Sequence, residues 1–110
     1  MRVAYKRGFL KAFDKSDSQL QRMILETVRE IRNYLEAGQA PYGLRVKKIS
    51  ERAFEGRVSD KVWMVWVKEK DLITFVMVGN HEEVQNYLRN FCRDIARMVN
   101  TNKTVRNFER

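Results

Sequence analysis

The sequence predicts an α+β fold, a small antiparallel β-sheet carrying two N-terminal helices and one C-terminal helix. Three patterns predict it. Apolar residues recur at helical spacing from Leu20 to Leu35, and residues 44–78 divide into four short β-type segments separated by polar turns. A third pattern, Val84, Leu88, Phe91, Ile95 and Met98, advances by alternating steps of four and three, as one buried helical face does.

In chain order, Arg2 to Tyr5 is the N-terminal strand, and a short helical segment with Phe9 and Phe13 on one face follows it. Ser16-Asp17-Ser18-Gln19 offers a capping-box-like start to the stripe Leu20, Met23, Ile24, Val28, Ile31 and Leu35. Gly38 and the Pro41-Tyr42-Gly43 turn end that helix. The four-stranded meander runs Leu44 to Ile49, Phe54 to Ser59, Val62 to Lys68 and Leu72 to Val78. Its short connections favour antiparallel neighbours. Every residue from Val62 to Val67 is apolar, which predicts a central strand covered on both faces, with at least one of Trp63 and Trp66 in the core. Phe54 to Ser59 alternates, placing Glu55, Arg57 and Ser59 on one face. The last helix is expected from about Asn80–Glu82 to about Val99, followed by a tail with little apolar periodicity.

A chain of 110 residues that is 44% hydrophobic fits one domain, expected over 1–100 with a flexible tail over 101–110. The lone Cys92 has no partner for an internal disulfide and reads as a packing residue. With no apolar signal segment and no membrane-length run, the expected setting is cytoplasmic. No metal-ligand spacing occurs, so neither metal nor cofactor is expected. The net charge of +8 favours a polyanionic partner or an acidic protein.

His81, the only histidine, follows the last strand in Val78-Gly79-Asn80-His81-Glu82-Glu83-Val84. An imidazole there suits proton transfer, although a histidine at a helix start is as readily a surface residue. Arg89, Arg93 and Arg97 form a ridge at every fourth position. Three like charges so spaced repel, and an RNA or an acidic protein helix would relieve them.

The order of elements, with Pro41-Tyr42-Gly43-Leu44-Arg45-Val46-Lys47-Lys48-Ile49, Phe54-Glu55-Gly56-Arg57-Val58-Ser59-Asp60 and the His81 segment, resembles the RelE/ParE superfamily of bacterial toxins over about Tyr5 to Leu88. Toxins of the RelE branch cleave mRNA, usually on the ribosome, and are neutralised by a cognate antitoxin. The resemblance therefore implies a metal-independent endoribonuclease with mRNA, the ribosome and an antitoxin as partners. It implies acid or base duty for His81, phosphate contact for Arg57, and a base or orienting role for Glu55. Lys47 and Lys48 are candidates for neutralising the RNA backbone, Lys61 stands one residue away from the place of a family phosphate-binding arginine, and Tyr87 is the candidate for the aromatic that relatives stack on a base. The sequence departs from the family at Lys61-Val62-Trp63, where many RelE nucleases carry a Tyr-Arg pair. That departure keeps two alternatives open: a non-catalytic ParE-like inhibitor of DNA gyrase, and a degenerate member that only binds an antitoxin.

Overall fold

The computed structural model describes residues 2–38, 45–90 and 106–107. The elements are β1 (Arg2–Tyr5), α1 (Arg7–Lys15), α2 (Ser18–Ala37), β2 (Lys47–Lys48), β3 (Ala53–Ser59), β4 (Val62–Glu69), β5 (Leu72–Gly79), α3 (His81–Arg89) and β6 (Arg106–Asn107). They form an α+β fold around a sheet of order β2-β3-β4-β5-β1-β6. The expected meander is present, each of its strands antiparallel to the next. β1 lies parallel to β5, pairing Ala4 with Thr74 and Tyr5 with Phe75.

The helix ends follow from local chemistry. The Asp17 carboxylate accepts from the Leu20 N–H at 2.8 Å, satisfying one of the orphan donors of the first turn of α2. Gly38 closes the same helix in the left-handed conformation at φ 82°, its N–H donating to the Tyr34 carbonyl. Between these ends Ile24, Val28 and Ile31 are buried, together with Thr27, whose hydroxyl donates to the Met23 carbonyl.

Helices cover both faces of the sheet. On one face α1 and α2 enclose Tyr5, Phe9, Ile24, Val28, Ile31, Met64, Trp66, Ile73 and Phe75, and Tyr5 stacks on Phe75 at 5.6 Å between ring centres. On the other, Val84 of α3 packs with Ala53, Val65, Val67 and Val76. β4 thus sends Met64 and Trp66 to one core and Val65 and Val67 to the other, which is why Val62 to Val67 are all apolar.

Four expectations change or pass out of view. The strand expected over Leu44 to Ile49 is only Lys47–Lys48, preceded by Arg45 at φ 51°, a conformation that ends extended structure. Asn90 caps α3 at Arg89, its N–H donating to the Leu88 and Tyr87 carbonyls, two and three residues back inside the last turn. The rest of the helix expected to Val99, with Cys92, Arg93 and Arg97, lies outside the described residues. The Pro41-Tyr42-Gly43 turn lies outside them as well. Within the segment expected as a tail, Arg106–Asn107 pairs antiparallel with β1.

Candidate functional site

Cross-strand register places the candidates. Arg57 of β3 stands opposite Trp63 of β4, and Trp63 opposite Gly79 of β5, which leads through Asn80 into His81. Neighbouring strands are ~4.8 Å apart, so Arg57 and the chain entering His81 are about 10 Å apart across Trp63. One step along the strands, Lys47, Glu55, Val65 and Met77 form a second row. Val65 and Trp63 belong to the α3 face, so Glu55, Arg57 and Lys47 share that face. α3 packs there on β4 and β5, and the polar row runs beside it on β3.

Arg57 is half-buried, and its guanidinium is already engaged. Its Nε donates to the Ser59 carbonyl at 3.2 Å, and its terminal nitrogen pairs with the Asp60 carboxylate. A β-bulge between Arg57 and Ser59 makes both contacts possible, because the extra residue folds the β3–β4 turn back towards the arginine. The same bulge takes Ser59 out of the Glu55–Arg57 row: Ser59 pairs with Val62, which packs into the α1/α2 core. The expectation that all three share one face therefore holds for Glu55 and Arg57 only.

His81 is exposed and is the first residue of α3. A reciprocal capping box fixes the backbone around it. The Asn80 side chain accepts from the Glu83 N–H at 2.8 Å, while the Glu83 carboxylate accepts from the Asn80 N–H at 2.9 Å. Gly79 makes room for that carboxylate, since a Cβ there would lie 3.0 Å from Glu83 Oε1.

The remaining candidates separate. Lys47 faces the site row, but Lys48 pairs with Phe54 and so belongs to the opposite face. Lys61 is exposed in the turn next to Arg57. Tyr87 packs between α3 and the sheet and lines a cleft that α1 also borders. Arg89 is exposed at the helix end, away from the row. Sequence reasoning missed two neighbours of Arg57. Trp63, half-buried between Arg57 and Gly79, carries a readable signal, its even spacing with Val65 and Val67. Asp60 reads in the sequence only as a turn residue.

A six-stranded sheet whose meander is flanked by two helices on one face and one on the other has solved counterparts. The RelB–RelE antitoxin–toxin complex from Methanococcus jannaschii contains a chain that is 16% identical, matched over 76% of this chain and 95% of its own length, with a TM-score of 0.56. The YoeB/ParE toxin from Agrobacterium tumefaciens is 12% identical over 74% of this chain and 99% of its own, with a TM-score of 0.59. The chain has the fold of the RelE/ParE toxins. A chain of the E. coli DinJ–YafQ complex shares this toxin fold at 13% identity, over 76% of the present chain and 97% of its own, with a TM-score of 0.54. No protein-family model matches the sequence, and no curated protein matches it significantly.

Proposed function

We propose that the protein is the toxin of a type II toxin–antitoxin system and an endoribonuclease that cleaves mRNA, on the ribosome, under the control of a cognate antitoxin. The toxin role is supported by the fold shared with RelE, YoeB and YafQ. The nuclease role rests on one observation: the row Arg57–Trp63–Gly79 brings a guanidinium and the sole imidazole to the same end of the sheet, with Glu55 on the guanidinium's face.

These groups suit cleavage in which the RNA 2′-oxygen attacks the adjacent phosphorus and the bond to the 5′-oxygen breaks. The 2′-hydroxyl loses its proton, the phosphorane gains charge, and the departing 5′-oxygen takes a proton. The products are a 2′,3′-cyclic phosphate and a 5′-hydroxyl. Arg57 can bind two non-bridging oxygens while remaining charged throughout. His81 and Glu55 are the candidate proton carriers beside Arg57, one for each proton transfer. Lys47 and Lys61 neutralise flanking phosphates.

The engagement of Arg57 by Asp60 and Ser59 favours one second reading, a toxin that acts by binding a protein rather than by cleavage. Expression under tight control, followed by mapping of cellular mRNA 5′ ends, separates the two. Codon-phased cleavage is expected from the parent, falling by about 10²–10⁴-fold in His81→Ala. Arg57→Ala is expected to cleave weakly, and Arg57→Lys to recover only part, because lysine lacks the two-pronged donor geometry. Toxicity without any new 5′ ends, undiminished in both alanine variants, would overturn the nuclease reading.

A further inference from the structure

A cleft of about 450 Å³ opens between α1, β5 and α3, two strands away from Arg57. This lies within the ~300–1,000 Å³ typical of ligand pockets. Its walls differ in chemistry. Lys6, just before α1, and Lys11 and Lys15 of α1 form one wall, the last two one helical turn apart and exposed. Neither Lys11 nor Lys15 is ion-paired among the described residues. β5 lays an apolar floor that includes Met77, and α3 supplies Tyr87 and Glu83, whose carboxylate keeps a second oxygen beside the one that accepts from the Asn80 N–H.

We propose that this cleft is a second RNA subsite, one that takes a single nucleotide with its phosphate on Lys11 and Lys15 and its base over Met77 beside Tyr87. The polarity of the cleft decides for this occupant. From cations through an apolar floor to a carboxylate acceptor, it follows the order phosphate, ribose, base, and the exocyclic N–H groups of a base are donors that Glu83 can accept. An acidic peptide matches the lysine wall but brings its carboxylates against Glu83. The inference rests on the reading that the protein binds RNA, but not on its cleaving RNA. The cleft holds strand that extends beyond the scissile phosphate, so binding through it is independent of the chemistry at Arg57.

The test uses the full chain and a labelled single-stranded 2′-O-methyl RNA hexamer, which cannot be cleaved by 2′-oxygen attack. Affinity is measured against salt for the parent, for Lys11→Gln with Lys15→Gln, for Arg57→Ala, and for all three substitutions together. Each lost phosphate contact on a single strand reduces the salt slope by about 0.7, so the lysine pair should lower it by about 1.4 and weaken binding on the order of tenfold near 0.1 M salt. The same loss should appear in the Arg57→Ala background. Unchanged affinity and slope in the lysine pair overturn the subsite, as does a parent that fails to bind the hexamer. A polyglutamate peptide that binds in a lysine-dependent manner where the RNA does not would also overturn it, giving the cleft to an acidic protein segment. Equal affinity for an abasic hexamer overturns the placement of the base. Failure of the nuclease reading looks different: lysine-dependent binding of the hexamer persists while unmodified RNA is left uncut.

Discussion

Arg57 is held on one side by a backbone carbonyl and on the other by Asp60, whose side chain is 86% exposed against 26% for the arginine. A pair with one partner so exposed is worth at most about 1 kcal/mol, so a phosphate carrying one or two charges can displace the carboxylate. Asp60 therefore competes weakly with substrate while keeping the guanidinium near its working position. Asp60→Asn is expected to tighten binding of a non-cleavable RNA by up to about fivefold, the equivalent of that energy. It should also lower the cleavage rate on bound RNA, since the arginine then samples more rotamers. Single-turnover kinetics with a titration of RNA separates the two effects, and weaker binding in Asp60→Asn would contradict the competition. Period two in Phe54 to Ser59 was enough to put Glu55 and Arg57 on one face. The bulge was not legible, because an extra residue in a strand depends on how the partner strand pairs, and nothing local distinguishes Val58-Ser59-Asp60 from a regular turn.

At the level of elements, the segment from Gly79 to Glu83 does more than start a helix. Asn80 and Glu83 satisfy each other's backbone N–H groups, and Gly79 leaves the space into which the Glu83 side chain folds back. His81 lies between the two capping residues, so its backbone position is set by the box. Asn80→Ala is expected to cost about 1 kcal/mol of stability by urea titration. Gly79→Ala should cost a similar amount, because the new methyl would stand 3.1 Å from the Glu83 Cβ as well as against its carboxylate. Both should reduce cleavage more than RNA affinity, and full cleavage in a folded Asn80→Ala protein would show that His81 needs no such support. The long elements were readable in sequence because each carries its own signal: the stripe from Ile24 to Ile31 for α2, the unbroken apolar run for β4. The parallel pairing of β1 with β5 was not, since it joins residues some seventy positions apart and depends on α1 and α2 filling the space between. The lysine-walled cleft escaped notice for the same reason. Lys11 and Lys15 are an ordinary solvated pair until α3 is placed opposite them.

For the molecule as a whole, the first strand must be anchored in the sheet for α1 to border the cleft that α3 also lines. Beyond the β1–β5 ladder, a pair of contacts does this: the Arg2 N–H donates to the Asp71 carbonyl at 2.7 Å, and its guanidinium donates to the Asp71 carboxylate at 3.2 Å. They tie the start of the chain to the β4–β5 turn. That hydrogen bond first, and the charge of Arg2 second, hold the Asp71 carboxyl below its ordinary value of 3.8. A carboxyl whose folded value is depressed binds its proton more readily in the unfolded chain. Its contribution to stability is thus present above the ordinary value and is lost as the pH falls through the folded one. Acidification also raises a net charge that is already +8, and the added repulsion acts in the same direction. Asp71→Asn removes the ionisable group but keeps a side chain of the same shape. Its urea midpoint should lie below the parent's at neutral pH, with the gap closing as both are taken below about pH 3.8. Because the pair is exposed, the gap should be small and should also shrink with added salt at neutral pH. A gap that stays constant from neutral to strongly acidic solution would mean that Asp71 acts through its backbone contact alone, leaving the anchoring of β1 to the Arg2 N–H and the ladder with Phe75.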